Sequence, residues 1–202
     1  MKKILPLAIC LALTACAEPR VIDLNDSREV DRMQNVMELE YRDWTNTAEK
    51  MTKSMIDSGV LDTKTKPIIA ISDIKNDTAQ RFDSDILTKK IRTTLMKSGK
   101  VQFTTNFTGE DTTSTQIRIN LRDNQEYDQS TIAQKGTLIA PNMSLSGKML
   151  QRNVKLQSGW FSSVDTRVEY YLQLTLTDLK TGLSIWEDEQ PIIKEGDHAP
   201  TW

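Results

Sequence analysis

Residues Pro67 to Thr105, PIIAISDIKNDTAQRFDSDILTKKIRTTLMKSGKVQFTT, decide the fold class. Ile68-Ile69-Ala70-Ile71 is an apolar, β-branched run and reads as a buried strand. Ser72 to Arg81 is rich in Asp, Asn and Thr and reads as a polar loop. A helical pattern follows from Asp83 to Ser98, with Asp83 or Ser84 as N-cap. Acidic residues open that helix, while Lys89, Lys90, Arg92 and Lys97 follow, an order that suits the helix dipole. Ile86, Leu87, Ile91, Thr94 and Leu95 form its apolar stripe, and Gly99 is the stop. Val101 to Thr105 then reads as a second short strand. A strand–loop–helix–strand unit implies an α/β (α+β) class and carries no reactive group.

Upstream of the unit, Tyr41 to Ile56 is expected to be the first helix. Trp44, Ala48, Met51 and Met55 recur at spacings of four, three and four, which places them on one face. Ser58-Gly59 ends it. From Ala17 to Glu40 the chain is polar and charged with scattered apolar residues, and it reads as a flexible tether over residues 16–40, with helix an alternative for Arg28 to Leu39. Fully extended, the chain from Cys16 to Trp44 reaches at most about 90 to 100 Å; as a relaxed coil it averages about 30 Å.

The first fifteen residues follow a different logic. Met1-Lys2-Lys3 is basic, Ile4 to Leu13 is apolar, and Leu13-Thr14-Ala15-Cys16 follows. The run is too short for a stable membrane span and is expected to be a cleaved export signal. Leu-Thr-Ala-Cys resembles a bacterial lipobox, which marks Cys16 as the lipid attachment site for diacylglycerol and acyl chains such as palmitate. With Ala17 rather than aspartate after it, the enterobacterial sorting rule implies the outer membrane, facing the periplasm. Several acyl chains at about 0.8 kcal/mol per buried methylene make a stable anchor. Cys10, the other of the two cysteines, lies inside the signal, so no disulfide is expected in the mature chain.

Downstream, Gln116 to Arg122 alternates like a strand and equally suits a helix start; it is assigned to helix with an irregular entry. Gln125 to Lys135 leans helical and Gly136 terminates it. Met143, Leu145, Gly147 and Met149 alternate with polar residues over Asn142 to Arg152, and Val168 to Leu176 alternates cleanly over Arg167 to Thr177. Asp178 to Gly182 is a tight turn, and Ser184 to Glu187 returns as the partner strand. Gly159 to Ser163 reads as a loop and residues 196–202 as a tail, leaving 41–195 as one globular domain. A chain of 202 residues, 38% hydrophobic, buries one ordinary core.

Composition excludes several chemistries. The single histidine, His198, sits in the tail, so no Ser/His/Asp or Cys/His nucleophile can be assembled in the domain. No cluster has zinc-ligand spacing, Asp73, Asn76 and Asp77 lack the spacing and glycine of a calcium loop, and no glycine-rich phosphate loop occurs. Without Lys2 and Lys3 the chain has 24 basic against 28 acidic residues, a charge of −4 that gives no support to nucleic-acid binding. Expected are no enzyme activity, no metal and no cofactor. Binding is what remains, and exposed groups are its usual carriers. Trp160 and Phe161 in the Gly159–Ser163 loop, and Asp73, Asn76, Asp77 and Thr78 in the polar loop, are the candidate partner-binding residues. Trp186 is assigned to packing.

Tyr41-x-x-Trp44, the Ile68–Asn76 strand and loop, Leu95 to Lys100 with Phe103, and Thr181-Gly182-x-x-Ile185-Trp186 together resemble the LpoB family, lipoprotein activators of a penicillin-binding protein. The resemblance runs over Tyr41 to Glu189. It implies a single small mixed β-sheet flanked by helices, similar to the TolB N-terminal domain. It also implies a monomeric, outer-membrane-anchored protein that docks on a class A bifunctional synthase and regulates peptidoglycan synthesis and cell shape. The family's proline-rich tether is absent, since only Pro19 lies between Cys16 and Tyr41. A second reading is a structural lipoprotein of an envelope assembly, a secretion pore or flagellar-type ring, which needs membrane-spanning hairpins of alternating apolarity.

Overall fold

The computed structural model describes residue 28 and residues 37–105, 111–155 and 166–196. The chain divides into two units, residues 1–35 and 36–202, and the sheet and its helices belong to the second. Helix α1 (Tyr41–Asp57) buries Trp44, Ala48, Met51 and Met55 as their spacing requires, with Thr47 and Thr52 beside them. Each fully buried methionine of this face stabilises the fold by about 1.5 to 3 kcal/mol. The Thr52 hydroxyl meets its burial by donating to the Ala48 carbonyl at 2.7 Å, one turn back.

Strand β1 (Ile68–Asp77) is longer than the apolar run suggests. It pairs in parallel with β3 (Met143–Lys155) through two stretches separated by an irregularity between Ile71 and Ile74. The extra residue there re-aims Ile74 into the core, and pairing continues to Asp77. Most of the expected Ser72–Arg81 loop is therefore strand. The turn begins only at Thr78.

Helix α2 (Ser84–Lys97) is capped by Asp83, whose carboxylate accepts from the Asp85 N–H at 2.9 Å. Leu87, Ile91 and Leu95 are buried; Ile86, expected in the stripe, is exposed. The stripe is narrower because the helix meets the sheet along one row. Arg92 takes the flanking position and is buried, its guanidinium 5.3 Å from the Phe103 ring. Burial pushes that guanidinium below its ordinary value. Gly99, at φ 69°, turns the chain into the two-residue strand β2 (Gln102–Phe103), parallel to β1.

Helix α3 (Thr112–Asp123) confirms the helical assignment of Gln116–Arg122, with Asp111 accepting from the Ser114 N–H. The helix expected over Gln125–Lys135 does not form. Only a single 3₁₀ turn, Gln129–Thr131, occurs there. Among the described residues from 111 to 141 none is buried, so no core contact stabilises a second helix against its conformational entropy.

Strands β4 (Thr166–Asp178) and β5 (Ser184–Gly196) complete a five-stranded mixed sheet in the order β2-β1-β3-β4-β5. β3 and β4 pair antiparallel over their full lengths, and β4 pairs antiparallel with β5 from Thr166 to Thr177, with an irregularity between Leu176 and Thr177. Val168, Tyr170, Leu172, Leu174 and Leu176 enter the core on alternate positions, beneath α1 and α2. Trp186 packs in the same core. β5 extends well past Glu187 because β4 offers it a full ladder. Its own alternation is masked by Glu187, Asp188, Glu189 and Glu195, charges that blunt an edge strand.

The domain also begins earlier than Tyr41. Leu39 is buried in the core, and Met37 packs against it. The Tyr170 hydroxyl donates to the Met37 carbonyl at 3.0 Å and Lys194 Nζ to the Glu38 carbonyl at 2.5 Å. Residues 37–40, expected in the tether, are part of the packed unit.

Candidate functional site

The candidate binding residues of β1 do two different jobs. Asn76 closes the turn that follows its strand: its side-chain oxygen accepts from the Thr78 N–H at 3.1 Å and from the Thr78 hydroxyl at 2.7 Å. Its amide nitrogen donates to the Gln80 carbonyl at 2.9 Å. Asn76 and Thr78 thus spend their polar atoms on each other and on the backbone of the turn. The turn is tied outward as well, by the Ala79 N–H to Gln151 Oε1 and by two hydrogen bonds between Gln80 and the Leu39 backbone. Asp73 and Asp77 expose their carboxylates on the same edge.

Next to Asp77 the open face of the sheet carries a charged cluster. Asp77 pairs with Leu150, which pairs with Tyr171. One step on, Arg152 pairs with Glu169, and Arg167 lies across from Glu195. Glu169 is only 8% exposed, although it lies on the face away from the helices. Its carboxylate accepts from the Tyr171 hydroxyl at 2.7 Å and lies 3.6 Å from Arg152 and 4.0 Å from Arg167. That hydrogen bond to Glu169 raises the Tyr171 phenol. A carboxylate that accepts from a phenol and lies beside two guanidiniums has its charge compensated within the sheet face.

A third region was not visible as a site in the sequence. α3 and the segment after it border a half-open cavity of about 180 Å³ lined by Arg118, Arg122, Lys135, Thr115 and Leu138. Arg118 and Arg122 are four residues apart and so share a helix face. Arg118 donates to the Thr137 hydroxyl at 2.6 Å and Arg122 to the Ala133 carbonyl at 3.2 Å, which fastens the segment to the helix. Each guanidinium has five N–H donors, more than these bonds use. The buried Thr115 hydroxyl finds no hydrogen-bond partner among the described residues. The paired arginines were the available signal, and alternating strand-like apolarity around them obscured it.

Cys16, Trp160, Phe161 and His198 lie outside the described residues. Trp160 and Phe161 belong to the segment joining Lys155 and Thr166, which are partners at the paired ends of β3 and β4. Among the described residues no group of three His, Cys, Asp or Glu side chains could hold a metal ion. Among them, too, no helix is long and apolar enough to cross a membrane.

The model of the family described as peptidoglycan-synthase activator LpoB matches residues 43–192. No curated protein matches the chain. Among solved structures, the LpoB C-terminal domain from Escherichia coli is 13% identical, with 74% of this chain and 98% of that chain covered and a TM-score of 0.43. The LpoB C-terminal domain from Salmonella enterica is 15% identical over the same shares, at 0.44. A lipoprotein from Neisseria meningitidis is 9% identical, covering 67% of this chain and 88% of its own, at 0.38.

Proposed function

Because this chain belongs to the LpoB family of peptidoglycan-synthase activators, we propose that it binds a class A bifunctional penicillin-binding protein and stimulates its synthesis of peptidoglycan. The observation that carries the reading is the family match across 43–192, from the first turn of α1 into β5. In this reading the protein acts by contact and does no covalent chemistry. Glu169, the most enclosed carboxylate of the open face, is already neutralised by its neighbours.

Residues 1–15 are the export signal, Cys16 carries the lipid, and residues 17–36 form a leash to the packed domain, anchored in the outer membrane and facing the periplasm. Twenty residues reach at most about 70 Å fully extended. Such a leash keeps the domain in the periplasm near the membrane. Short reach makes the position of the synthase part of the mechanism.

The pore or ring reading needs a hairpin whose apolar face is available to lipid. β3 and β4 form a long hairpin, but the apolar face of β4 is fully used beneath α1 and α2. The activator reading is tested with the chain lacking residues 1–16 and purified synthases of the same organism. Glycan polymerisation is expected to rise with one of them; no rate change with any of them would sink the reading.

A further inference from the structure

The two ends of the long strands differ in what they expose. The chain enters the domain at Met37, whose side chain lies against Gly196 at the end of β5. β5 has thirteen residues, so its opposite end is about 40 Å away. At that far end Ile139 is 70% exposed, Leu183 64% and Leu179 48%. They come from two segments held together by the Leu179 N–H donating to the Asn142 carbonyl at 2.9 Å. Asn142 in turn exchanges hydrogen bonds with Ile68 at the start of β1. The segment bearing Ile139 runs back through Leu138 into the cavity lined by Arg118, Arg122 and Lys135. Aliphatic end and cationic cavity are thus consecutive parts of one surface.

We infer that this surface is where the domain docks its protein partner, and that the partner presents an apolar centre flanked by carboxylates, one of which enters the cavity between Arg118 and Arg122. The charge selects that occupant: three cations line the cavity in a chain whose net charge is −2, so the local field opposes the overall one. A second copy fits poorly, because a two-fold contact centred here brings the same cations toward each other. The surface lies at the end of the sheet opposite Met37, where the chain enters the described domain. The identity of the partner as the synthase rests on the proposed function; the location of the surface does not.

The test measures affinity of the full chain for the synthase it activates, with Ile139→Asp, Leu183→Asp and Arg118→Glu, and with Glu189→Lys on the open sheet face as control. Each of the three is expected to weaken binding about tenfold or more, with the control within about twofold. Arg118→Glu also flattens the salt dependence. Unaltered binding by all three, with wild type binding, overturns the surface and leaves the activator reading standing. A wild-type chain that binds no synthase overturns the activator reading itself. A photo-crosslinker at position 183 covers the case of a variant that fails to fold: an adduct with the synthase from 183 and none from 189 supports the surface, and the reverse overturns it. Self-association, or flotation with anionic vesicles by the chain lacking residues 1–16, that is lost in Leu183→Asp overturns the assigned partner in favour of a second copy or a lipid surface.

Discussion

Lys194 and Asp43 meet where β5 ends and α1 begins, Nζ to Oδ2 at 2.6 Å, with both side chains nearly out of solvent. The same Asp43 oxygen accepts from the Glu40 N–H at 2.8 Å, and the same Lys194 nitrogen donates to the Glu38 carbonyl. One ion pair therefore caps a helix, closes the sheet edge and holds the entering chain. Lys194→Met leaves the Asp43 carboxylate enclosed without its counter-charge, and is expected to cost about 2 to 4 kcal/mol. Urea unfolding checks this, and the double variant with Asp43→Asn should recover part of the loss.

Gly147 sits opposite Leu174 in the β3–β4 ladder. A Cβ there would lie 2.4 Å from Leu174 Cδ2 and 2.6 Å from the Gln173 carbonyl oxygen. Leu174 can turn aside, but the carbonyl is backbone and cannot. Gly147→Ala is expected to destabilise by about 1 to 3 kcal/mol, read as a lower thermal midpoint with unchanged secondary structure.

Tyr170 makes the stability fall at alkaline pH. Burial raises its phenol, with the Glu38 and Asp43 carboxylates adding to the effect. The folded form then holds its proton where the unfolded chain releases it, above about pH 10. The contribution is complete below that pH and is lost as pH rises beyond it. Tyr170→Phe loses the bond to the Met37 carbonyl, about 1 kcal/mol at neutral pH, and should show a flatter alkaline decline. Urea midpoints across the alkaline range measure both.

Asn76 is expected to matter for stability and little for partner binding. Asn76→Ala removes the acceptor of Thr78 and the donor to Gln80, and should cost about 1 to 2 kcal/mol. Affinity for the synthase, measured below the unfolding range, should stay within about twofold of wild type.

Much of the fold is local and was readable as such. Trp44, Ala48, Met51 and Met55 define a helix face by spacing alone, and Val168 to Leu176 define a strand by strict alternation. Asp83 and Gly99 mark helix ends through backbone chemistry that needs no distant partner. The candidate site was less readable. Asn76 and Thr78 share their polar character with any contact loop, and only the hydrogen-bond geometry assigns them to a turn. Arg118 and Arg122 lie in a stretch that suits helix and strand alike.

The sequence by itself determined the elements whose apolar period is their own, the mixed α/β class, and through its motifs the family. Tertiary structure decided whatever depends on a partner strand or layer. Ser72 to Asp77 became strand because β3 offers parallel partners past a bulge, and Ile192 to Gly196 because β4 continues alongside. Leu39 left the tether for the core because Tyr170, Lys194 and Gln80 satisfy the backbone from Met37 to Leu39. Gln125 to Lys135 stayed irregular because no core meets it. Periodicity encodes a preferred local conformation, whereas pairing and burial depend on residues brought close only by the finished fold.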